Sequence, residues 1–469
     1  MGLGTSENMP DIVGRRVLIV TLGTRGDVQP FLVLAHALKR AGAIPLLLTL
    51  PQYVHLGIEF DVAVSSLLED GMSWPDMNAL SDGGVENRDE FEDSLVLEPY
   101  ARFGRTMLRR IERAASEAPP DIVVVGMIVW FVQWLRETLF RPLIHVHLQP
   151  TRWLTTERSD ARSWRRSQFI ELLTTVPWLD GDFLMARIDR PEELHLLAYP
   201  EGIGVTHLPG VRGERTGFWH AHARTEGATP PLLPAALLDF LTAAGQPRAV
   251  CLNFGSMPVY TRTPWIDALL GVLEAHCRGG GRLIAIGSLV PEALRSWPAT
   301  LVISSAPHAL VLPLCGCVIH HGGAGTSAAA VHACVPSLVV PHLTWIDQTR
   351  WARWLESLHA GVWMRDEERT HNEFAHALHR VLHDASLREG VRALARRLAA
   401  DGGVDEAVRL IRERLCLNPL AIPSSTPMDA KPLDGVWTVS QLGDTSWLCA
   451  KLVQMARDLS GDDSFGVCC

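Results

Sequence analysis

Apolar residues fall into short runs that alternate with segments of helical spacing over most of the chain. Val17 to Leu22 is the first run, and it leads through Gly23-Thr24-Arg25-Gly26-Asp27 into a helical pattern from Val28 to Arg40. Leu46 to Leu50, Ile122 to Val125 and Leu143 to Leu148 read as further buried strands. A second series follows, with strands at Ala249 to Phe254, Arg282 to Ile286, Leu301 to Ile303, Cys317 to His320 and Ser337 to Val340, and a helix from Pro264 to Ala275. Helical patterns then occupy Gln348 to Ser357, Glu373 to Leu382, Ser386 to Ala400 and Asp405 to Leu415. Short, largely apolar strands alternating with helices predict parallel, doubly wound sheets, because such sheets are covered by helices on both faces. Two such series predict an α/β chain of two Rossmann-like domains.

The segments between these elements set the expected boundaries. The acidic, aperiodic stretch from Gly71 to Tyr100 reads as a surface excursion, and the Arg- and Trp-rich residues 151–195 as an insertion at the mouth of the first domain. Thr216-Gly217-Phe218-Trp219, followed by Pro230, Pro231 and Pro234, marks a linker. The expected division is a first domain over 1–215, a linker over 216–234, a second domain over 235–416 and an appended tail over 417–469. With 469 residues, 47% of them hydrophobic, the chain has material for two cores.

Composition narrows the partners. A formal charge of −9 disfavours nucleic acid and anionic headgroups, which select basic surfaces, and leaves a small or neutral partner. Lysine occurs only at Lys39, Lys431 and Lys451, an arginine bias that suits a GC-rich bacterial genome. All nine cysteines lie at or after Cys251 with no CxxC pair, so a reducing, cytoplasmic compartment is expected. Residues 1–16 lack the apolar core of a secretory signal, and Ile122 to Val132 is too short to cross a bilayer. No integral span is expected, while transient membrane contact stays open. Met1-Gly2 with Ser6, and Cys468-Cys469, match lipidation patterns, but these are short and meaningful only in a eukaryotic cell.

His320-His321-Gly322-Gly323-Ala324-Gly325-Thr326 is the segment with the most chemistry. It lies between an apolar strand-like run and an alanine-rich helix. Gly322, Gly323 and Gly325 let backbone approach a ligand closely, and the new helix offers unpaired N–H groups and its positive dipole end to an anion. Thr326 adds a hydroxyl and His321 an imidazole, so a diphosphate could be held without metal. A tight strand-to-helix turn with no ligand explains this segment alone equally well. The dinucleotide fingerprint is not met at Gly23 to Asp27, and no Walker lysine exists, which weakens dehydrogenase and P-loop readings.

Taken together, Gly23-Thr24-Arg25-Gly26-Asp27-Val28-Gln29-Pro30, Gly217-Phe218-Trp219, Asn253-Phe254-Gly255-Ser256-Met257, Ala306-Pro307-His308, the HHGGAGT turn and Asp347-Gln348 resemble the inverting nucleotide-sugar glycosyltransferases of GT-B fold. The resemblance is to the branch containing sterol glucosyltransferases and bacterial natural-product glycosyltransferases, and it runs from about residue 15 to residue 415. It implies two Rossmann-like domains facing across a cleft, with the donor mostly in the second. Carried over residue by residue, it assigns the diphosphate to His321, Gly323, Ala324, Gly325 and Thr326, with Ser256 approaching from the first loop of the second domain. It places Ala306 and His308 beside the nucleobase, and it gives the sugar hydroxyls to Asp347 and Gln348. Thr24 and Arg25 would touch the donor across the cleft. Asp27 is the candidate general base, with Arg25 placed to keep it ionised. No metal and no cofactor are implied beyond the nucleotide-sugar co-substrate, UDP-glucose being favoured by Asp347-Gln348. The acceptor would be a lipophilic small molecule; its identity and the oligomeric state are not legible.

Competing explanations exist for single residues. An Asp at a helix start is most often a cap, and His321 or Asp347-Gln348 alone would be ordinary packing or helix-start residues. Asp180-Gly181-Asp182 reads as a solvated turn and not a metal motif. Trp130 and Trp134 suit a core stripe or an acceptor wall, and His145 with His147 share one strand face for packing or an acceptor role. Two positions depart from the family's pattern: Cys334 stands where it usually has Gly, and His359-Ala360 replaces a glycine-containing pair before Gly361. The alternative functions are a sugar-nucleotide epimerase of the same fold and a non-catalytic nucleotide-sugar-binding helper.

Overall fold

The computed structural model describes residues 12–72, 98–126, 139, 141–149, 193–203, 213–220, 233–255, 265–287, 290–342 and 347–417. Residues 1–420 form one compact unit; 421–469 form a second, which lies outside the described residues.

The first sheet consists of β1 (Arg16–Val20), β2 (Ile44–Thr49), β3 (Ala63–Ser66), β4 (Ile122–Gly126), β5 (Leu143–His147), β6 (Leu194–Leu197) and β7 (Gly213–Arg215). Their spatial order is β3-β2-β1-β4-β5-β6-β7, and every pair is parallel. The second sheet holds β8 (Ala249–Asn253), β9 (Leu283–Ile286), β10 (Thr300–Ile303), β11 (Cys315–His320), β12 (Ser337–Val339) and β13 (Gly361–Trp363), in the order β10-β9-β8-β11-β12-β13, again all parallel. In both sheets the strand order reverses beside the first strand, between β1 and β4 and between β8 and β11. Ligands of open α/β sheets bind outside the carboxyl ends of strands at such a reversal. The Gly23–Asp27 segment follows β1, Phe254-Gly255 follows β8, and the HHGGAGT turn closes β11, so the predicted segments lie where this geometry puts a site.

Helices cover the sheets: α1 (Arg25–Arg40), α2 (Leu56–Glu59), α3 (Glu98–Glu117), α4 (Ala235–Thr242), α5 (Ile266–Arg278), α6 (His308–Val311), α7 (Ala324–His332), α8 (Gln348–Ser357), α9 (His371–His383), α10 (Ala385–Leu398) and α11 (Gly403–Leu417). Helix α1 begins one turn before the expected Val28, because Thr24 caps it and Asp27 completes a capping box. Its buried face, including Phe31, Leu34, Ala35 and Leu38, packs with Ile19, Val124 and Ile144 of the sheet.

Two crossings join the halves. The outgoing segment sets Trp219 into the first core, edge-on to Phe31 at 6.1 Å, while the adjacent Phe218 stacks on Trp351 of α8 at 5.5 Å. The returning chain enters α11, whose Ala407, Val408 and Ile411 are buried in the same first core. Although α11 follows the second sheet in sequence, it packs on the first. The crossings touch: a Cβ on Gly217 (φ +76°) would lie 2.6 Å from Asp401 Cβ. Tyr199 and Ile203, beyond β6, also share a core with Val331, Trp351 and Trp354.

Candidate active site

Asp27 is the third residue of α1. One carboxylate oxygen, Oδ2, accepts hydrogen bonds from Thr24 N at 2.7 Å and Thr24 Oγ1 at 2.9 Å. It is therefore a capping-box residue, which is the structural role a short acidic residue at a helix start serves. Withdrawal from water raises its pKa, and the two Thr24 hydrogen bonds oppose that rise. Gly23 (φ +119°) leaves the space the carboxylate occupies, since any Cβ there would collide with it. Arg25 does not hold Asp27 as expected: its guanidinium donates to Gln29 at 3.3 Å and lies 3.9 Å from Glu59. The helix twist carries Arg25 and Asp27 to different faces, and Thr24 takes over the partner role.

On the other side of the cleft, Asp347 precedes α8 and accepts from Trp351 Nε1 at 2.9 Å. Its pKa is pushed up to about 7, first by burial and second by the negative charge of Asp27. The carboxylates of Asp27 and Asp347, which follow the two different sheets, are thus within electrostatic reach of each other. Arg25 and His308 are coupled across the same gap, the guanidinium helping burial hold His308 down at about 4.

The HHGGAGT turn is shaped by its glycines. A Cβ on Gly323 would lie 2.5 Å from His321 Nε2, and one on Gly255 only 3.5 Å from His321 Cε1, so the imidazole lies between these two backbones. Gly322 (φ +93°) is pressed against the Gln348 carbonyl, which a Cβ would meet at 2.8 Å. Helix α7 starts at Ala324 with Gly323 as its cap, leaving Gly325 exposed and Thr326 buried in the first turn. This presents helix N–H groups and a positive dipole end beside His321. Burial, with a smaller contribution from His342, lowers the His321 pKa to about 4, so the ring is neutral near pH 7 and offers an N–H rather than a full charge. Its Nδ1 is buried with no hydrogen-bond partner among the described residues. The adjacent His320 is structural: its Nδ1 accepts from Gly322 N at 3.1 Å, and burial lowers its pKa to about 3.

Asn253 was not singled out by sequence, although it begins a matching segment. Its Oδ1 accepts from Gly255 N at 2.8 Å, which fixes the amide so that Nδ2 donates to His308 Nε2 at 2.5 Å. His308 must then carry its proton on Nδ1. Ala306 sits half-buried at the rim of the adjoining core. Gln348 is buried, and its Oε1 accepts from His342 N at 2.8 Å. Ser256 lies outside the described residues, as do Trp130, Trp134, Asp180-Gly181-Asp182 and both lipidation patterns. His145 and His147 do share a face of β5. His145 bonds Glu193 at 2.5 Å and stacks on His195 at 4.5 Å, and His147 bonds His195 at 3.0 Å, within the first domain. Among the described residues no three His, Cys, Asp or Glu side chains are grouped to hold a metal, and no helix is long and apolar enough to cross a membrane.

Residues 283–413 match the family described as erythromycin biosynthesis protein CIII-like, C-terminal domain. The chain is 26% identical over 443 residues to O-mycaminosyltylonolide 6-deoxyallosyltransferase of Streptomyces fradiae, covering 85% of this chain and 97% of that protein. It is 25% identical over 389 residues to a sterol 3-beta-glucosyltransferase of Arabidopsis thaliana, covering 74% of this chain and 59% of that protein. Among solved structures, the calicheamicin glycosyltransferase CalG4 matches with a TM-score of 0.62 at 19% identity, over 87% of this chain and 99% of the other. A spinosyn rhamnosyltransferase complexed with thymidine diphosphate matches at 0.61 and 20% identity, over 84% and 99%. The two parallel-sheet domains are those of the GT-B fold.

Proposed function

We propose that this GT-B glycosyltransferase moves a hexose, with inversion, from a nucleoside diphosphate sugar to a hydroxyl of a lipophilic small molecule such as a sterol, polyketide or other secondary metabolite. UDP-glucose is the favoured donor, because Asp347 and Gln348 together suit a fully hydroxylated sugar. The transfer would run in the cytoplasm. The observation that carries the reading is the placement of Asp27 after β1, Gly255 after β8 and the HHGGAGT turn after β11, at the carboxyl ends of the two sheets where their strand orders reverse.

Asp27 takes the proton from the acceptor hydroxyl, whose oxygen attacks the anomeric carbon as the bond to the diphosphate oxygen breaks. An α-linked donor gives a β-glycoside. The electron pair leaves with the diphosphate, where the first turn of α7, Thr326 and the His321 N–H stabilise it. Burial favours this division of labour: a raised pKa makes Asp27 a stronger base than an exposed carboxylate, and neutral His321 costs less to bury than a cation. The proposed leaving-group stabilisation uses no metal.

Asp27→Asn tests the base, since the amide oxygen still caps Thr24 but cannot accept the proton. Turnover should fall by about 10²–10⁴-fold, with nucleoside diphosphate affinity within twofold of wild type. Unchanged turnover removes Asp27 from the role. Activity should persist in EDTA, and loss restored by Mg²⁺ would contradict the metal-free scheme. A panel of UDP and dTDP sugars, scored by thermal stabilisation, decides the donor; preference for a dTDP-deoxysugar would overturn UDP-glucose.

A further inference from the structure

We infer that Arg369 is a positioning residue for donor-sugar recognition: it holds the Pro341–His342 peptide, and through that peptide it sets the orientation of Gln348. The inference rests on the reading of Gln348 as a sugar-binding residue.

Arg369 lies just before α9 and is only 7% exposed. Its guanidinium sits 5.2 Å from the centroid of the Trp265 ring, and its Nε is buried with no hydrogen-bond partner among the described residues. Its only ion-pair partner among them is Asp366 at 2.7 Å, a side chain 63% exposed. Burying a guanidinium against one solvated carboxylate is a poor source of stability. What the group accomplishes is seen at its other contacts. Nη2 donates to Pro341 O at 2.8 Å and lies 3.4 Å from Met364 O, tying the chain beyond β12 to the chain beyond β13.

Pro341 O and His342 N belong to one planar trans peptide. A hydrogen bond at the carbonyl end therefore constrains and polarises the N–H end. That N–H donates to Gln348 Oε1 at 2.8 Å. A backbone N–H can only donate, so the Gln348 carbonyl oxygen must face it and the amide's NH₂ donors must lie at the opposite end. The sequence Arg369, peptide 341–342, Gln348 is thus a directed chain that decides whether Gln348 meets a sugar hydroxyl as donor or acceptor. Gln348 also presses its backbone carbonyl on Gly322, so Gln348 itself borders the HHGGAGT turn.

The test compares binding of UDP-glucose with UDP, and of dTDP-glucose with dTDP, by titration calorimetry on wild type, Arg369→Met, Gln348→Ala and the double variant. The ratio of sugar-nucleotide to nucleotide affinity is the readout, because general loosening of the domain would weaken both ligands alike. Arg369→Met should reduce that ratio by about tenfold, the scale of one net hydrogen bond, and should add nothing once Gln348 is Ala. Arg369→Lys, which keeps one donor for the Pro341 carbonyl, should fall between wild type and Met, and it carries the comparison should the Met variant not fold. If Gln348→Ala leaves the ratio unchanged, the sugar-binding reading of Gln348 fails and this inference with it. If Gln348→Ala lowers the ratio while both Arg369 variants keep it, the inference alone is overturned.

Discussion

Cys334 and His359, the two departures from the glycine pattern of the resembled family, both adopt left-handed backbone, with φ of +56° and +53°. That conformation crowds a Cβ against its own peptide and costs roughly 1–2 kcal/mol for a non-glycine residue. Cys334 is exposed and has no packing to lose. Cys334→Gly should therefore stabilise the protein, by up to about 1 kcal/mol once the added freedom of the unfolded chain is subtracted. Chemical denaturation measures this, and a less stable variant would refute the strain account. At this scale the residues with reactive groups in recognisable motifs, Asp27, His321 and Asp347, were legible. Trp351, Asn253, His342 and Arg369 were not, because each acts by contacting a residue distant in sequence or by presenting a backbone group, and neither leaves a local pattern.

Elements follow the same division. The largely apolar strands β1, β4, β5, β8 and β11 were legible because parallel strands buried on both faces read as near-continuous apolar runs. β3, β7 and β13 were missed, being edge strands of three or four residues, too short to show a periodic signal. β6 and α3 were missed beside atypical stretches: the acidic run expected to reach Tyr100 gives way to helix at Glu98, and the expected insertion ends within a strand that begins at Leu194. α11 was legible as a helix but not in its allegiance. Ile411 is fully buried in the first domain's core, so Ile411→Ala should cost about 2–5 kcal/mol. Denaturation followed by a probe in the first domain, such as Trp219 fluorescence, should show the loss; an unaffected midpoint would mean that α11 is not part of that core.

For the whole molecule, the decisive relation is between carboxylates on different domains. Asp347 has a folded pKa of about 7 against an ordinary 3.8, so its protonated form is favoured by the fold. The stability it contributes is complete below about pH 4 and is lost as pH rises through about 7. Removing the Asp27 charge removes the second cause of that shift, so Asp27→Asn should move the Asp347 titration to lower pH in carboxyl ¹³C NMR. An unmoved titration would mean the two groups do not sense each other. The sequence by itself determined the two α/β series, their strand-turn-helix segments, and the residues in them that are proposed to bind phosphate, sugar or a proton, because these depend on local periodicity and side-chain type. Only the tertiary structure decided that Asp27 is held by Thr24 and not Arg25, that it lies opposite Asp347, and that α11 belongs to the first core. The Thr24 contact rests on the geometry of one helical turn, and the other two outcomes rest on the approach of residues far apart in sequence and on their burial.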